Sequence, residues 1–266
     1  MTQANKQPIG IFDSGVGGLS IAKCIRQTLA NEDLLYVADN QFSPYGKLST
    51  DEIIERVNVI SFKLIEAGAK AIVIACNTAT VNAIDQLRAK TSVPIIGVEP
   101  AIKPAAKMSQ TQDVGLLVTQ STALNPRFLS LVEQHKGQSR VHIQPCPELA
   151  GLIEQGHANS EKASQLLRQY LLPLIDENVD TIVLGCTHYP FVSEIIQRIC
   201  GDNVQLVETA EPVTKELQRQ LYARNLINAQ GGSIEFYATN ANEQQEKIMS
   251  RLWQQDINLL SLVNIC

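Results

Sequence analysis

The sequence predicts an α/β fold: two similar parallel-sheet α/β domains related by pseudo-symmetry, with a ligand site in the cleft between them. Three observations predict it. Short apolar runs alternate with longer stretches of helical periodicity from residue 8 onward. The apolar runs are continuous, as strands buried on both faces of a parallel sheet must be. The whole pattern then restarts about 105 to 110 residues later.

The first half reads as follows. Residues 8–12 (Pro-Ile-Gly-Ile-Phe) form a buried strand that ends at Asp13. Gly15, Gly17 and Gly18 make a tight loop into a helix over 19–30, and residues 34–38 are a second strand. Ser49 with Glu52 three residues on is a capping box, and Ile53, Val57, Ile60 and Leu64 follow as one apolar stripe that Gly68 ends. Residues 71–75 are a strand, 79–90 a helix and 93–98 a strand.

In the second half, residues 114–119 echo 9–13, and 141–143 take the place of 34–37. Thr181 to Thr187 align with Ala71 to Asn77, and residues 204–208 with 94–99. After Glu208 a helical stretch, one more strand over 233–238 and a last helix over 243–253 are expected. The expected division is a first domain of residues 1–98, with 208–266 returning to pack on it, and a second domain of residues 99–207.

The chain has 266 residues, 44% apolar and 18% charged, enough to bury one large core or two modest ones. Net charge is −5 with no basic run, which excludes a nucleic-acid footprint or a polybasic membrane patch. No apolar stretch is long enough to span a bilayer, and the polar start, Met1 to Gln7, lacks the apolar core of a signal peptide; a cytoplasmic protein is expected. Six cysteines without a C-x-x-C pair read as free thiols in a reducing compartment. Taken singly, each is a small buried apolar residue.

Open parallel sheets bind ligands beyond the carboxyl ends of their strands. Polar residues stand there in four places: Asp13-Ser14, Cys76-Asn77-Thr78, Thr119 to Thr122, and Cys186-Thr187-His188. The repeat puts Cys76 and Cys186 at equivalent positions, so facing halves bring both thiols to one cleft. Each cysteine also stands where a helix should begin, a place that favours a thiolate and a bound carboxylate. Two bases on opposite faces of one carbon are what stereoinversion by proton transfer needs. Asp13 and His188 are the natural proton acceptors beside them. Cys24, Cys146, Cys200 and Cys266 lack such a setting, as do His135, His142 and His157. Glu148 and Glu154 alone read as a solvated helix face. The glycine loop lacks the Lys-Ser/Thr ending of a phosphate loop and reads as a tight turn. The Cys-Thr-His run does not have the spacing of a zinc site.

Several motifs carry a family resemblance. Gly10 to Leu19 (GIFDSGVGGL), Asp39 through Pro44-Tyr45-Gly46, Ala75-Cys76-Asn77-Thr78-Ala79 and Leu184 to Pro190 (LGCTHYP) resemble, in order, the signatures of glutamate racemases. Cys146-Pro147 with Glu154-Gln155-Gly156 is similar to a further segment of that family, and the likeness runs over residues 8–213. It departs at Val207-Glu208-Thr209, where the family usually has Ile-Asp-Ser.

The resemblance implies a cofactor-independent isomerase that interconverts L- and D-glutamate and supplies D-glutamate for peptidoglycan. Cys76 would act on the D-enantiomer with Asp13 assisting, and Cys186 on the L-enantiomer with His188. Glu154 would be an auxiliary acid. Substrate contacts would come from Asp13, Ser14, Tyr45, Gly46, Asn77, Thr78, Thr187 and His188. No pyridoxal phosphate and no metal is implied, the partner is the small-molecule substrate rather than nucleic acid or membrane, and a homodimer is expected. Two other readings stay open: a racemase of aspartate or another small acid, and a non-catalytic module that holds a carboxylate or phosphate.

Overall fold

The computed structural model describes residues 3–265; Met1, Thr2 and Cys266, two residues of the polar start and one of the six cysteines, lie outside them. Among the described residues the strands are β1 (Ile9–Asp13), β2 (Leu34–Ala38), β3 (Ala71–Ile74), β4 (Ile95–Gly97), β5 (Asp113–Val118), β6 (Arg140–Pro145), β7 (Thr181–Leu184), β8 (Gln205–Val207), β9 (Ile234–Ala238) and β10 (Leu259–Ser261). The helices are α1 (Leu19–Thr28), α2 (Thr50–Glu66), α3 (Asn77–Arg88), α4 (Ile102–Met108), α5 (Gln120–Ala123), α6 (Pro126–His135), α7 (Leu149–Glu154), α8 (Glu161–Asp176), α9 (Ser193–Cys200), α10 (Ala210–Ala223) and α11 (Glu243–Trp253).

Two wholly parallel sheets result, in the orders β10-β9-β2-β1-β3-β4 and β6-β5-β7-β8. The stretch β2-β1-β3-β4 has the same order as β6-β5-β7-β8, so the sequence repeat is a repeat of topology. In each half the central strand, β1 or β5, is paired on both sides. Every residue of β1, β2 and β3 is buried, which accounts for their unbroken apolar character.

Local chemistry fixes the elements around the site. Ser49 and Glu52 exchange both capping-box bonds at the start of α2, and the stripe Ile53, Val57, Ile60 and Leu64 is buried. Gly68 follows with φ +86°, a conformation that suits glycine after a helix. No described helix is long and apolar enough to cross a membrane.

Three expectations need correction. The helix after β3 starts at Asn77, two residues earlier than its apolar pattern suggests, because Cys76 itself caps it. Cys186 does not open an α-helix: Tyr189–Val192 is a 3₁₀ turn, bonded Tyr189 N–H to Cys186 O, and α9 begins only at Ser193. Pro190, which has no N–H to give, stands in that turn. The tail carries two strands rather than one. β9 pairs with β2, and β10 extends the edge beyond it; three residues are too few to show a period.

Candidate active site

Asp13 ends β1, and its Oδ1 accepts from the Gly15 N–H at 2.8 Å. The buried Tyr36 hydroxyl donates to Gly15 O at 2.8 Å and anchors the loop from beneath. The loop is glycine for a reason beyond turning. A Cβ on Gly15 would land on the Glu154 carboxylate, one on Gly17 would lie 2.5 Å from His188 Nδ1, and one on Gly18 2.6 Å from the Asp13 Cβ. The other half of the site packs directly on this backbone.

Cys76 caps α3, its sulfur accepting from the Ala79 N–H at 3.4 Å, while its thiol lies 3.7 Å from the Ser14 hydroxyl. Burial pushes the Cys76 thiol well up, and the Asp13 carboxylate pushes the same way; the Ala79 N–H and Ser14 oppose without prevailing. The helix start favours a thiolate at this sulfur, but desolvation of the charged form outweighs its two weak hydrogen bonds.

Cys186 Sγ lies 3.5 Å from His188 Nδ1. His188 Nε2 is in short contact with Glu154 Oε1, which also accepts from the Val16 N–H at 2.8 Å. Burial alone would pull the imidazole down, but the Cys186 sulfur and the Glu154 carboxylate outweigh it and hold His188 well above the usual histidine range. Thr187 Oγ1 donates to Asp13 Oδ2 at 3.1 Å, and Ser20 Oγ donates to Thr187 O at 3.1 Å. Burial raises the Asp13 carboxyl; His188 opposes, Glu154 adds to the rise, and the bonds from Gly15 and Thr187 oppose.

One small cavity gathers these groups. Ser14, Tyr45, Gly46, Cys76, Asn77, Thr78, Cys186, Thr187 and His188 line it together. Asp13 and Glu154 do not: Asp13 stands behind Thr187, and Glu154 behind His188. Glu154 is thus not on a solvated helix face. Tyr45 contributes its ring and backbone, because its hydroxyl donates to Asp39 Oδ2 at 2.5 Å and Asp39 is clamped by Arg56 with two bonds of 2.9 Å.

Pro44, Thr119 and Ala150 also line the cavity. Thr119, already marked by the sequence as a strand-end polar residue, follows β5 as Ser14 follows β1's last residue. It joins Thr78 and Thr122 in a triangle of hydroxyls with edges of 3.1, 3.2 and 2.9 Å. Nothing in the sequence singles out Ala150. Asp13, Glu154 and His188 offer donor atoms within 4.8 Å of one another, the spacing of a metal site. Those atoms are already spent on one another, on Gly15 and on Thr187. Of the cysteines without a strand-end setting, Cys24, Cys146 and Cys200 are free thiols.

The doubled parallel α/β fold thus brings two thiols to the lining of one cavity. The chain belongs to the Asp/Glu/hydantoin racemase family, whose model matches residues 17–217, and it is a racemase. It is 46% identical over 226 residues to the glutamate racemase of Ralstonia pickettii, covering 85% of this chain and 80% of that one. Among solved structures, a glutamate racemase isoform from Bacillus anthracis superposes with TM-score 0.86 at 31% identity, over 96% of this chain and 97% of that one. The glutamate racemase of Francisella tularensis in complex with D-glutamate gives TM-score 0.86 at 29% identity, over 98% of both chains.

Proposed function

We propose that this chain interconverts L- and D-glutamate by two-base proton transfer between Cys76 and Cys186, with no cofactor, and so supplies D-glutamate for peptidoglycan in the bacterial cytoplasm. The observation that carries the reading is that both sulfurs line a single cavity.

In the direction from L to D, the Cys186 thiolate takes the α-proton and forms an S–H bond. The electron pair left on the α-carbon is then protonated from the opposite face by the Cys76 thiol. The reverse direction exchanges the roles. The raised Cys76 thiol suits the donor role, since it holds its proton until a carbanion needs it. For Cys76 to act as base, Asp13, whose carboxylate acts on this thiol through its charge, takes the thiol proton. His188, held cationic beside Cys186 and Glu154, turns its positive charge on the reacting sulfur from 3.5 Å.

Cavity hydroxyls and amides suit the rest of an amino acid. Asn77 Oδ1 is buried and has no hydrogen-bond partner among the described residues, which fits an acceptor for the substrate ammonium. Ser14 and Thr78 offer hydroxyls to its carboxylates, and Thr187, whose own hydroxyl is held by Asp13, lines the pocket beside them. With this reading we assign residues 1–98 and 208–266 to one domain and 99–207 to the other, and propose that the enzyme acts as a homodimer.

Incubation with L-glutamate in heavy water, without added cofactor, tests the reading. α-Deuterium uptake with loss of optical rotation is expected, at a rate well above that on aspartate. Cys76→Ser and Cys186→Ser should each abolish net racemisation. Neither exchange nor rotation change in the wild-type protein would end the proposal, and faster turnover of aspartate would reassign the substrate.

A further inference from the structure

We propose that a second, larger cavity is the entrance to the two-thiol pocket, and that Lys47 at its rim draws the acidic amino-acid substrate in by charge. This rests on the glutamate reading above. The cavity has a volume of about 370 Å³, opens to solvent and shares Pro44, Gly46, Thr119 and Ala150 with the inner pocket, so the two spaces adjoin.

The charges explain why an entrance needs a cation. The chain carries a net charge of −5, and its mean field repels an anionic substrate. The inner pocket is lined by no lysine or arginine, so its hydroxyls and amides can bind carboxylates at short range but attract little from a distance. The charged side chains lining the outer cavity are Lys47, Glu148 and Lys162. Lys162 and Glu148 pair at 2.9 Å and largely cancel. Lys47 is exposed and makes no ion pair among the described residues, and it adjoins Gly46, which lines both spaces. A single uncancelled cation therefore stands on the path from solvent to the thiols.

Steady-state rates on L-glutamate over a range of ionic strength test this with three variants. Lys47→Gln should lower kcat/KM about fivefold at low salt, through KM with kcat unchanged, and the deficit should close as salt screens the field. Glu148→Gln should act in the opposite direction, raising kcat/KM about twofold by releasing Lys162. Lys215→Gln, which removes the same charge at an exposed position of α10, should match the wild type. The opposite signs of the first two variants separate steering from damage to the fold. Lys47→Gln equal to the wild type, a loss confined to kcat, or an equal loss in Lys215→Gln would overturn the entrance proposal while leaving the racemase reading intact. A wild-type protein inactive on L-glutamate would overturn both.

Discussion

Gly15 carries more of the site than its lack of a side chain suggests. Its N–H holds Asp13, its carbonyl is held by Tyr36, and the space where a Cβ would sit belongs to the Glu154 carboxylate. Gly15→Ala should displace Glu154, release the far side of His188 and lower kcat about 100-fold, the usual penalty for misplacing a catalytic group by an ångström. Circular dichroism should show the fold retained. Near-wild-type turnover would mean that Glu154 does not support the reaction. His188 gives a pH prediction. Its pKa is raised in the folded protein, so it contributes stability in full below the ordinary histidine value near 6.5 and loses it as pH rises through the folded value. The stability gap between wild type and His188→Asn in denaturant melts should therefore be widest in mild acid and narrow steadily as pH is raised; a gap that widens would contradict a cationic His188. Both thiols, Asp13 and His188 were legible because strand-end position is a property of local sequence. Glu154 was not legible without the family resemblance, since its partner Val16 is 138 residues away and its stretch looks like any polar helix face.

At the scale of elements, sequence and structure agree where burial is continuous. The strands β1, β2, β3, β5 and β7 were readable to within a residue or two because both of their faces meet helices. The short helices α5 and α7, of four and six residues, complete no periodic stripe; α5 is held instead by its Thr119 cap, and α7, which has no side-chain cap, by the bonds of Glu154 to Val16 and His188. The turn before β5 shows such a bond. Asp180 accepts from Ser109 Oγ at 2.6 Å, the Gln110 N–H at 2.6 Å, the Thr111 N–H at 3.0 Å and Thr181 Oγ1 at 3.1 Å, so one carboxylate fastens the 109–111 turn to the start of β7. Burial would raise its pKa, but these four donors outweigh it and hold it below the usual carboxylate value. Asp180→Ala should cost about 2 kcal/mol at neutral pH. Because the pKa is depressed, that stabilisation is present above the ordinary aspartate value near 3.9 and is lost as pH falls through the folded value, so the difference between the two proteins should shrink in acid. Urea melts at pH 7 and pH 3 check both the size and the sign.

The whole molecule depends on a tie that lies outside the catalytic cleft. Glu32, between α1 and β2, pairs with Lys70 at 2.5 Å, with both side chains almost fully buried. Glu32 also accepts from the Asn228 N–H at 2.8 Å, and Lys70 donates to the Asn5 carbonyl at 2.6 Å. Four segments meet here: the N-terminal turn, the α1–β2 link, the entry to β3, and the stretch after α10 that leads into β9. The chain after Glu208 completes the edge of the first sheet through β9 and β10, and this pair pins the approach to that edge. Sequence reading missed it, because nothing marks Glu32 or Lys70 as different from other surface charges until the tail folds back over them. Burying two ions is expensive, and their attraction offsets the cost only while both are present. Lys70→Met, which leaves Glu32 charged and buried, should therefore destabilise the protein by about 3–5 kcal/mol in equilibrium denaturation. The double variant Glu32→Leu with Lys70→Met should recover much of that loss, since no buried charge remains. A double variant no more stable than Lys70→Met would place the value of the tie in the hydrogen bonds to Asn5 and Asn228 rather than in the ion pair.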